Sequence, residues 1–278
     1  MPYPGSESIK LTMSVINSLP TRIRHETRIR QLQVAAITDI TPLMRRVTLA
    51  GPDLAGFTSL GYDDHIKMFF PPVGGKLVLP TLGPDGLVFD GPRPPMRDYT
   101  PRRYDPAAQT LDLDFVLHGD GPASSWAAGV KVGDVAVIAG PRGSMVVPND
   151  YDWYLLAGDE TALPAIGRRL EELPASTRAI VLVEVANPGE EQNLASAAEL
   201  SLRWLHRNGA AAGATTLLQD ALRQVTLPEG RGFSFVAGEA RLYRDAKQYL
   251  IEERGLPPEL VKAAGYWALG QADVELPH

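Results

Sequence analysis

The densest chemistry in the chain lies in the segment Arg97-Asp98-Tyr99-Thr100-Pro101-Arg102-Arg103-Tyr104. On an extended strand Arg97 and Tyr99 share one face, so a cation and a flat aromatic surface stand side by side with the Thr100 hydroxyl next to them. The guanidinium can pair bidentately with phosphate, the phenol can stack on a ring system, and the hydroxyl can donate to a ring nitrogen or oxygen. That combination suits a phosphorylated aromatic ligand, while a solvated strand with Arg–Asp pairs is the plainer reading. A second element is His118-Gly119-Asp120-Gly121-Pro122-Ala123-Ser124-Ser125-Trp126. Small residues entering a helix let a ligand approach the backbone, and unpaired N–H groups at the helix start attract an anion such as pyrophosphate. A tight turn with a structural glycine and a hydrogen-bonded His118 is the alternative. A third element is Leu156-Ala157-Gly158-Asp159-Glu160-Thr161-Ala162-Leu163-Pro164-Ala165, a strand end, polar turn and helix start in which Thr161 or Asp159 also suits a helix cap. The second half holds no G-x-G-x-x-G, so the ordinary dinucleotide fingerprint is absent.

These elements need a scaffold, and the two halves of the chain supply different ones. Up to Pro148, short extended segments (Val34–Ile37, Met44–Leu49, His65–Phe70, Leu87–Phe89, Asp98–Tyr104, Leu111–Leu117, Val135–Ile138) alternate with Gly/Pro turns, the pattern of an antiparallel barrel or sandwich. One helix, starting at Pro122, interrupts them. Beyond Pro148, continuous apolar runs at Trp153–Ala157, Ala179–Ala186 and Phe233–Ala237 alternate with helices, the mark of a parallel sheet. Helices are expected at Leu163–Leu173, Leu194–Arg207, Thr215–Gln224 and Glu239–Arg254, with a last strand at Tyr266–Leu269. The boundary falls near residues 148–149, after a mobile tail over residues 1–29.

Composition narrows the function. The 278 residues carry a net charge of −6, made of +1 over residues 1–148 and −7 over residues 149–278. Basic residues form no stripe interleaved with aromatics, which argues against nucleic-acid binding. The absence of cysteine excludes disulfides, a thiol nucleophile and a thiolate-held cluster, so redox work needs an organic cofactor. No apolar run spans a bilayer and the first residues lack a signal-type core, so a cytoplasmic protein with no stable membrane insertion is expected.

The three elements resemble the siderophore-interacting protein family, flavin-dependent ferric-siderophore reductases of the ferredoxin-reductase-like group. The likeness also includes Asp64-His65-Ile66-Lys67, Gly140-Pro141-Arg142-Gly143-Ser144, Ala237-Gly238-Glu239 and Gly265-Tyr266-Trp267. It implies β plus α/β architecture: an antiparallel, six-stranded-type FAD-binding barrel over residues 30–148, then a parallel-sheet NAD(P)H-binding α/β domain over 149–278. By that likeness Arg97, Tyr99 and Thr100 hold the flavin phosphate and ring, and His118, Gly121, Ala123 and Ser124 line the cofactor at the helix start. Thr161, Ala162 and Pro164 lie where nicotinamide arrives. The chain departs from the pattern at Ala268-Leu269, where many members carry arginines.

The implied activity passes electrons from NADPH or NADH through FAD to a ferric siderophore, releasing iron(II); no metal is held as a cofactor and no side chain acts as acid or base. Lys67, then Arg103, are the candidates for attracting an anionic chelate. Glu184 suits a ribose hydroxyl and disfavours a 2′-phosphate, whereas Arg241 or Arg244 attracts one. These readings conflict and leave the nucleotide open, as they leave open a ferredoxin-type donor. Two alternatives stand beside the reductase: a flavin reductase with a protein or quinone acceptor, and a non-catalytic module binding siderophore or nucleotide. A monomer is expected.

Overall fold

The computed structural model describes residues 19–271 except Val73, Asp85 and Asp120. The first lobe begins with β1 (Thr21–Arg24), β2 (Ile29–Thr41), β3 (Met44–Ala50) and β4 (Ile66–Phe69). It continues through β5 (Thr81–Gly83), β6 (Gly86–Val88), β7 (Met96–Tyr99), β8 (Arg103–Asp105) and β9 (Thr110–Val116). Helix α1 (Pro122–Gly129) leads to β10 (Val135–Ala139) and β11 (Gly143–Val146). Seven of these strands form one antiparallel sheet in the order β7-β4-β10-β2-β3-β9-β8, the short β8 adding an edge to the six expected. Alternation decides which residues face inward: Leu32 and Val34 on β2, Val47 and Leu49 on β3, and Leu111, Leu113 and Phe115 on β9 are buried in one core. The sheet curls until Tyr99 of β7 meets Phe115 of β9, with ring centroids 4.2 Å apart, and α1 plugs the opening with Trp126 against Phe115 at 5.4 Å.

Of the tail expected over residues 1–29, residues 1–18 lie outside the described region. The remainder is structured: β1 pairs with β11 from Thr21↔Val146 to Arg24↔Gly143, and β2 starts at Ile29. Too few apolar residues mark this stretch for the sequence to show it, because pairing comes from backbone groups and β1 stays exposed.

The second lobe comprises β12 (Trp153–Asp159), α2 (Leu163–Glu172), β13 (Arg178–Val185) and β14 (Glu199–His206), followed by α3 (Leu217–Gln224), β15 (Gly232–Glu239), α4 (Ala240–Gln248) and β16 (Val261–Trp267). Its five strands are parallel in the order β14-β13-β12-β15-β16. Every residue of β12 and β15 is buried, since helices cover both faces: α2 through Leu163, Ile166 and Leu170, and α3 and α4 through Leu218, Leu222, Leu242 and Ala246. The helix expected over Leu194–Arg207 is instead strand β14. Leu200, Leu202 and Trp204 recur with period two and pack on the core, while Glu199, Ser201 and Arg203 face solvent. The alanines and leucines just before this stretch masked that alternation. Strand β16 likewise begins earlier than Tyr266, its apolar signal broken by Lys262. Among the described residues, no helix is long and apolar enough to cross a membrane.

The lobes share a core in which Met44 and Tyr62 pack with second-lobe residues. Polar contacts reinforce it. Arg168 of α2 donates to Ser59 Oγ (2.8 Å), Ser59 O (2.8 Å) and Pro101 O (3.0 Å), and Arg102 pairs with Glu171. Buried Glu190 accepts from Thr41 Oγ1 (2.5 Å) and Leu43 N (3.1 Å) at the β2–β3 turn. Glu190→Ala strips both donors of their acceptor and is expected to lower unfolding free energy by about 1–3 kcal/mol in urea titration. Loss of under about 0.5 kcal/mol would show that water replaces the carboxylate.

Candidate functional site

Strand β7 delivers Arg97, Tyr99 and Thr100 to the mouth of the barrel. One face of Tyr99 rests on Phe115, and burial pushes its phenol above the ordinary range. Arg97 is half-buried, with Nη1 donating to Met96 O at 2.7 Å, and Thr100 is buried. Trp126 of α1 packs on both Phe115 and Phe70, the rings that flank Tyr99, so one aromatic cluster sets the strand end against the helix start. That start is open. Gly121 caps α1 with no side-chain hydrogen bond, and a Cβ placed on Gly119 or Gly121 meets no atom within 4 Å. Gly119 needs its φ of +52°, in the left-handed region. Ser124 Oγ accepts from His118 N at 2.9 Å, which leaves its O–H to donate, while the His118 ring is exposed and Ala123 is buried.

This donor set fits a flavin dinucleotide: a cation and an uncapped helix start for the pyrophosphate, an aromatic face for the ring, and a hydroxyl at the strand end. Lys67, on β4 opposite Asp98, places Nζ 3.1 Å from that carboxylate. Arg103 is exposed at the start of β8, opposite Asp112.

Across the junction, the carboxyl ends of β12, β15 and β16 converge on Asp159. Oδ1 accepts from Thr161 N (2.9 Å) and Thr161 Oγ1 (2.5 Å), and Oδ2 from Trp267 Nε1 (2.8 Å) and Glu239 N (3.1 Å). Gly238, at φ +142°, passes so close that a Cβ there would lie 2.5 Å from Asp159 Oδ2. Glu239 in turn caps α4 by accepting from Arg241 N at 2.6 Å and holds Leu269 N at 3.2 Å. Asp159 thus does more than the helix cap suggested by its spacing: it joins three motifs that are far apart in sequence. Thr161 is half-buried in this turn, and Ala162 and Pro164 are buried beneath it.

Glu184 is buried, with Arg207 Nη1 at 3.6 Å and Thr215 Oγ1 donating to it at 2.8 Å. Arg207 also grips Glu160 at 2.5 and 2.7 Å. Glu184 is therefore engaged inside the lobe instead of being presented to a ribose. Arg241 is exposed on the first turn of α4, and Arg244 Nε donates to Ala240 O at 3.2 Å.

Between these halves lies a polar cluster that spacing could not reveal, because its members come from distant segments. The hydroxyl of Tyr62 and Oδ1 of Asp63 are buried without hydrogen-bond partners, and the hydroxyl of Tyr266 is buried with them. Tyr266 lies beside Thr100, and Lys262 pairs with the other oxygen of Asp63. Burial, reinforced by the charge of Asp63, pushes both phenols well above their ordinary range.

Burial and then the charge of Glu160 push Asp159 up to about 6, against the pull of its hydrogen bonds from Thr161 and Trp267. The sign follows: folding disfavours the charged form, so this group lowers stability as pH rises from about 4 to 6, and the native chain takes up its proton first on acidification. Once protonated, the carboxyl loses acceptor capacity and Trp267 loosens. A tryptophan-fluorescence transition centred near pH 6 is expected, absent from Asp159→Asn and Trp267→Phe; its persistence in both would place the titrating group elsewhere.

Both lobes have counterparts among known proteins. Residues 33–145 match the siderophore-interacting FAD-binding domain and residues 151–270 the siderophore-interacting protein domain. An NADPH-dependent ferric-chelate reductase of Escherichia coli is 38% identical over 89% of this chain and 96% of its own. Ferric vibriobactin reductase of Vibrio cholerae is 33% identical over 81% of this chain and 84% of its own. The crystal structure of a siderophore utilization protein from T. fusca superposes with a TM-score of 0.88 at 42% identity, covering 92% of this chain and 98% of that one. With both lobes matched in order, the chain belongs to the siderophore-interacting protein family.

Proposed function

We propose that the chain is an FAD-dependent ferric-siderophore reductase that takes electrons from NADPH and releases iron(II), with FAD held by residues 30–148 and the nucleotide by residues 149–278. The observation that carries this reading is the meeting of two half-sites. Tyr99 and Thr100 end the flavin strand beside Tyr266, and Tyr266 adjoins Trp267, which is bound to the Asp159 turn at the parallel sheet's carboxyl edge.

When bound, a flavin supplies the conversion from the paired electrons of a hydride to the single electrons that iron(III) accepts. Arg97 and the α1 start would bind and orient the pyrophosphate, while Tyr99 and Thr100 would hold the ring system by stacking and by a donated hydrogen bond. The packed junction keeps water from the transfer. The E. coli relative is named for NADPH, which supports that donor here, with exposed Arg241 available to a 2′-phosphate. Iron(II) is a weaker partner for hard oxygen ligands, so reduction loosens the chelate. Lys67 attracts anionic chelates. The reductase acts in the cytoplasm as a monomer.

Purified protein should be yellow or take up FAD, bleach anaerobically faster with NADPH than with NADH, and regain colour with a ferric chelate as a ferrous trap turns over; a chain that never binds FAD overturns the proposal. Lys67→Ala should raise KM for an anionic ferric chelate about fivefold, in line with about 1 kcal/mol of partly screened attraction, and leave NADPH oxidation by a neutral dye unchanged. Equal effects on both acceptors would remove Lys67 from substrate capture.

A further inference from the structure

We propose that the cavity walled by Arg24, His25, Arg28 and Arg30 is a second ligand site, separate from the flavin strand, that takes a small polyanion bearing phosphate or carboxylate groups. The cavity lies where β1 passes into β2, beside Gly140 at the end of β10, and none of the residues placed around the flavin lines it. Its volume, about 290 Å³, holds roughly ten waters or one molecule the size of pyrophosphate or citrate.

The anionic character of the occupant follows from Arg30. This guanidinium is only 3% exposed, yet its partners are carbonyl oxygens, of Asp53 (3.0 Å), Gly140 (2.9 Å) and Arg28 (3.4 Å), and the face of Phe57 at 5.2 Å. Among the described residues no carboxylate lies within ion-pairing distance of it. A buried cation normally has a counter-charge. Burial and the neighbouring Arg28 lower its pKa, and Tyr104, Asp53 and Glu26 offset this only in part.

In the rest of the wall Arg24, Arg28 and His25 stand against one carboxylate, that of Glu26. The Arg24 side chain is exposed with no hydrogen bond or ion pair among the described residues, where Arg28 has its ion pair with Glu26, itself 75% exposed. Such an exposed pair yields readily to a better anion. His25 is fixed by its Nε2 to Ser144 Oγ at 2.7 Å, and Ser144 donates to buried Asp64 at 2.6 Å, so the wall is held from behind. The arginines that look scattered in the sequence are gathered by the pairing of β1 with β11 and the turn into β2.

The site is independent of the reductase reading, and its test is a binding measurement. The FAD-saturated chain, whose pyrophosphate pocket is then filled, is titrated calorimetrically with pyrophosphate and, in a second arm, with citrate; which arm saturates more tightly separates a phosphate source from a carboxylate one. Arg24→Ala and Arg28→Ala, both at exposed positions, should each weaken the binding about tenfold, as loss of one charged hydrogen bond implies, and the double variant should abolish it. Arg178→Ala, an exposed arginine at the start of β13 in the parallel sheet, should leave it unchanged. Absence of saturable binding in both arms, or binding that survives the double variant, overturns the proposal.

Discussion

The Asp159 carboxylate is the interaction on which the carboxyl edge of the parallel sheet depends. A charged group removed from water is tolerated only when donors replace the lost hydration, and here they come from three separate segments: its own turn at Thr161, the β15–α4 turn at Glu239, and the indole of Trp267 at the end of β16. Each donor arrives on a parallel strand, so the carboxylate fixes the relative height of three strand ends. Its environment explains why glycine stands at position 238, where any side chain would overlap the carboxylate. A single short side chain therefore shapes the surface that a nicotinamide must meet.

That surface is useful only if it stays opposite the flavin strand, and the junction provides this through buried contacts more than through surface pairs. Arg168 reaches across to Ser59 and Pro101 with nearly all of its guanidinium sheltered, and Glu190 is almost wholly enclosed under the β2–β3 turn. Buried contacts of this kind fail expensively when one partner is lost, whereas an exposed pair such as Arg178–Glu199 contributes little. The two lobes thus share one core and a fixed spacing, as direct hydride transfer between two bound rings requires.

Local patterns in the sequence carried much of this. Gly/Pro punctuation marked the antiparallel lobe and unbroken apolar runs marked the parallel one, because both signals are written in consecutive residues. The edge strand β14 was hidden by the alanines and leucines that precede it, and β1 by its exposure, since a strand held by backbone pairing alone leaves no apolar trace. Arg97 and Tyr99 share a strand face by simple alternation, with Thr100 following at the strand end, so their neighbourhood is legible from consecutive residues. The convergence of Tyr62, Asp63, Thr100 and Tyr266 was not, since nothing in their spacing forecasts that they meet. Glu184 shows the converse: a strand-end acid has the right type and place for a ribose, but Arg207, just past the end of β14, pairs with it.

The distribution of charge connects these features to substrate capture. A chain of net −6 repels an anionic chelate at long range, yet screening confines that repulsion to about 8–10 Å, so what an approaching anion meets is the local field. The deficit of basic charge lies in the second lobe, where Arg207 is committed to Glu160 and Glu184. The near-neutral first lobe instead holds Lys67 on β4, paired with Asp98, and the three arginines around the cavity by β1. The near-neutral first lobe, at +1, and the acidic second lobe, at −7, therefore present different local fields to an anion that approaches their shared junction.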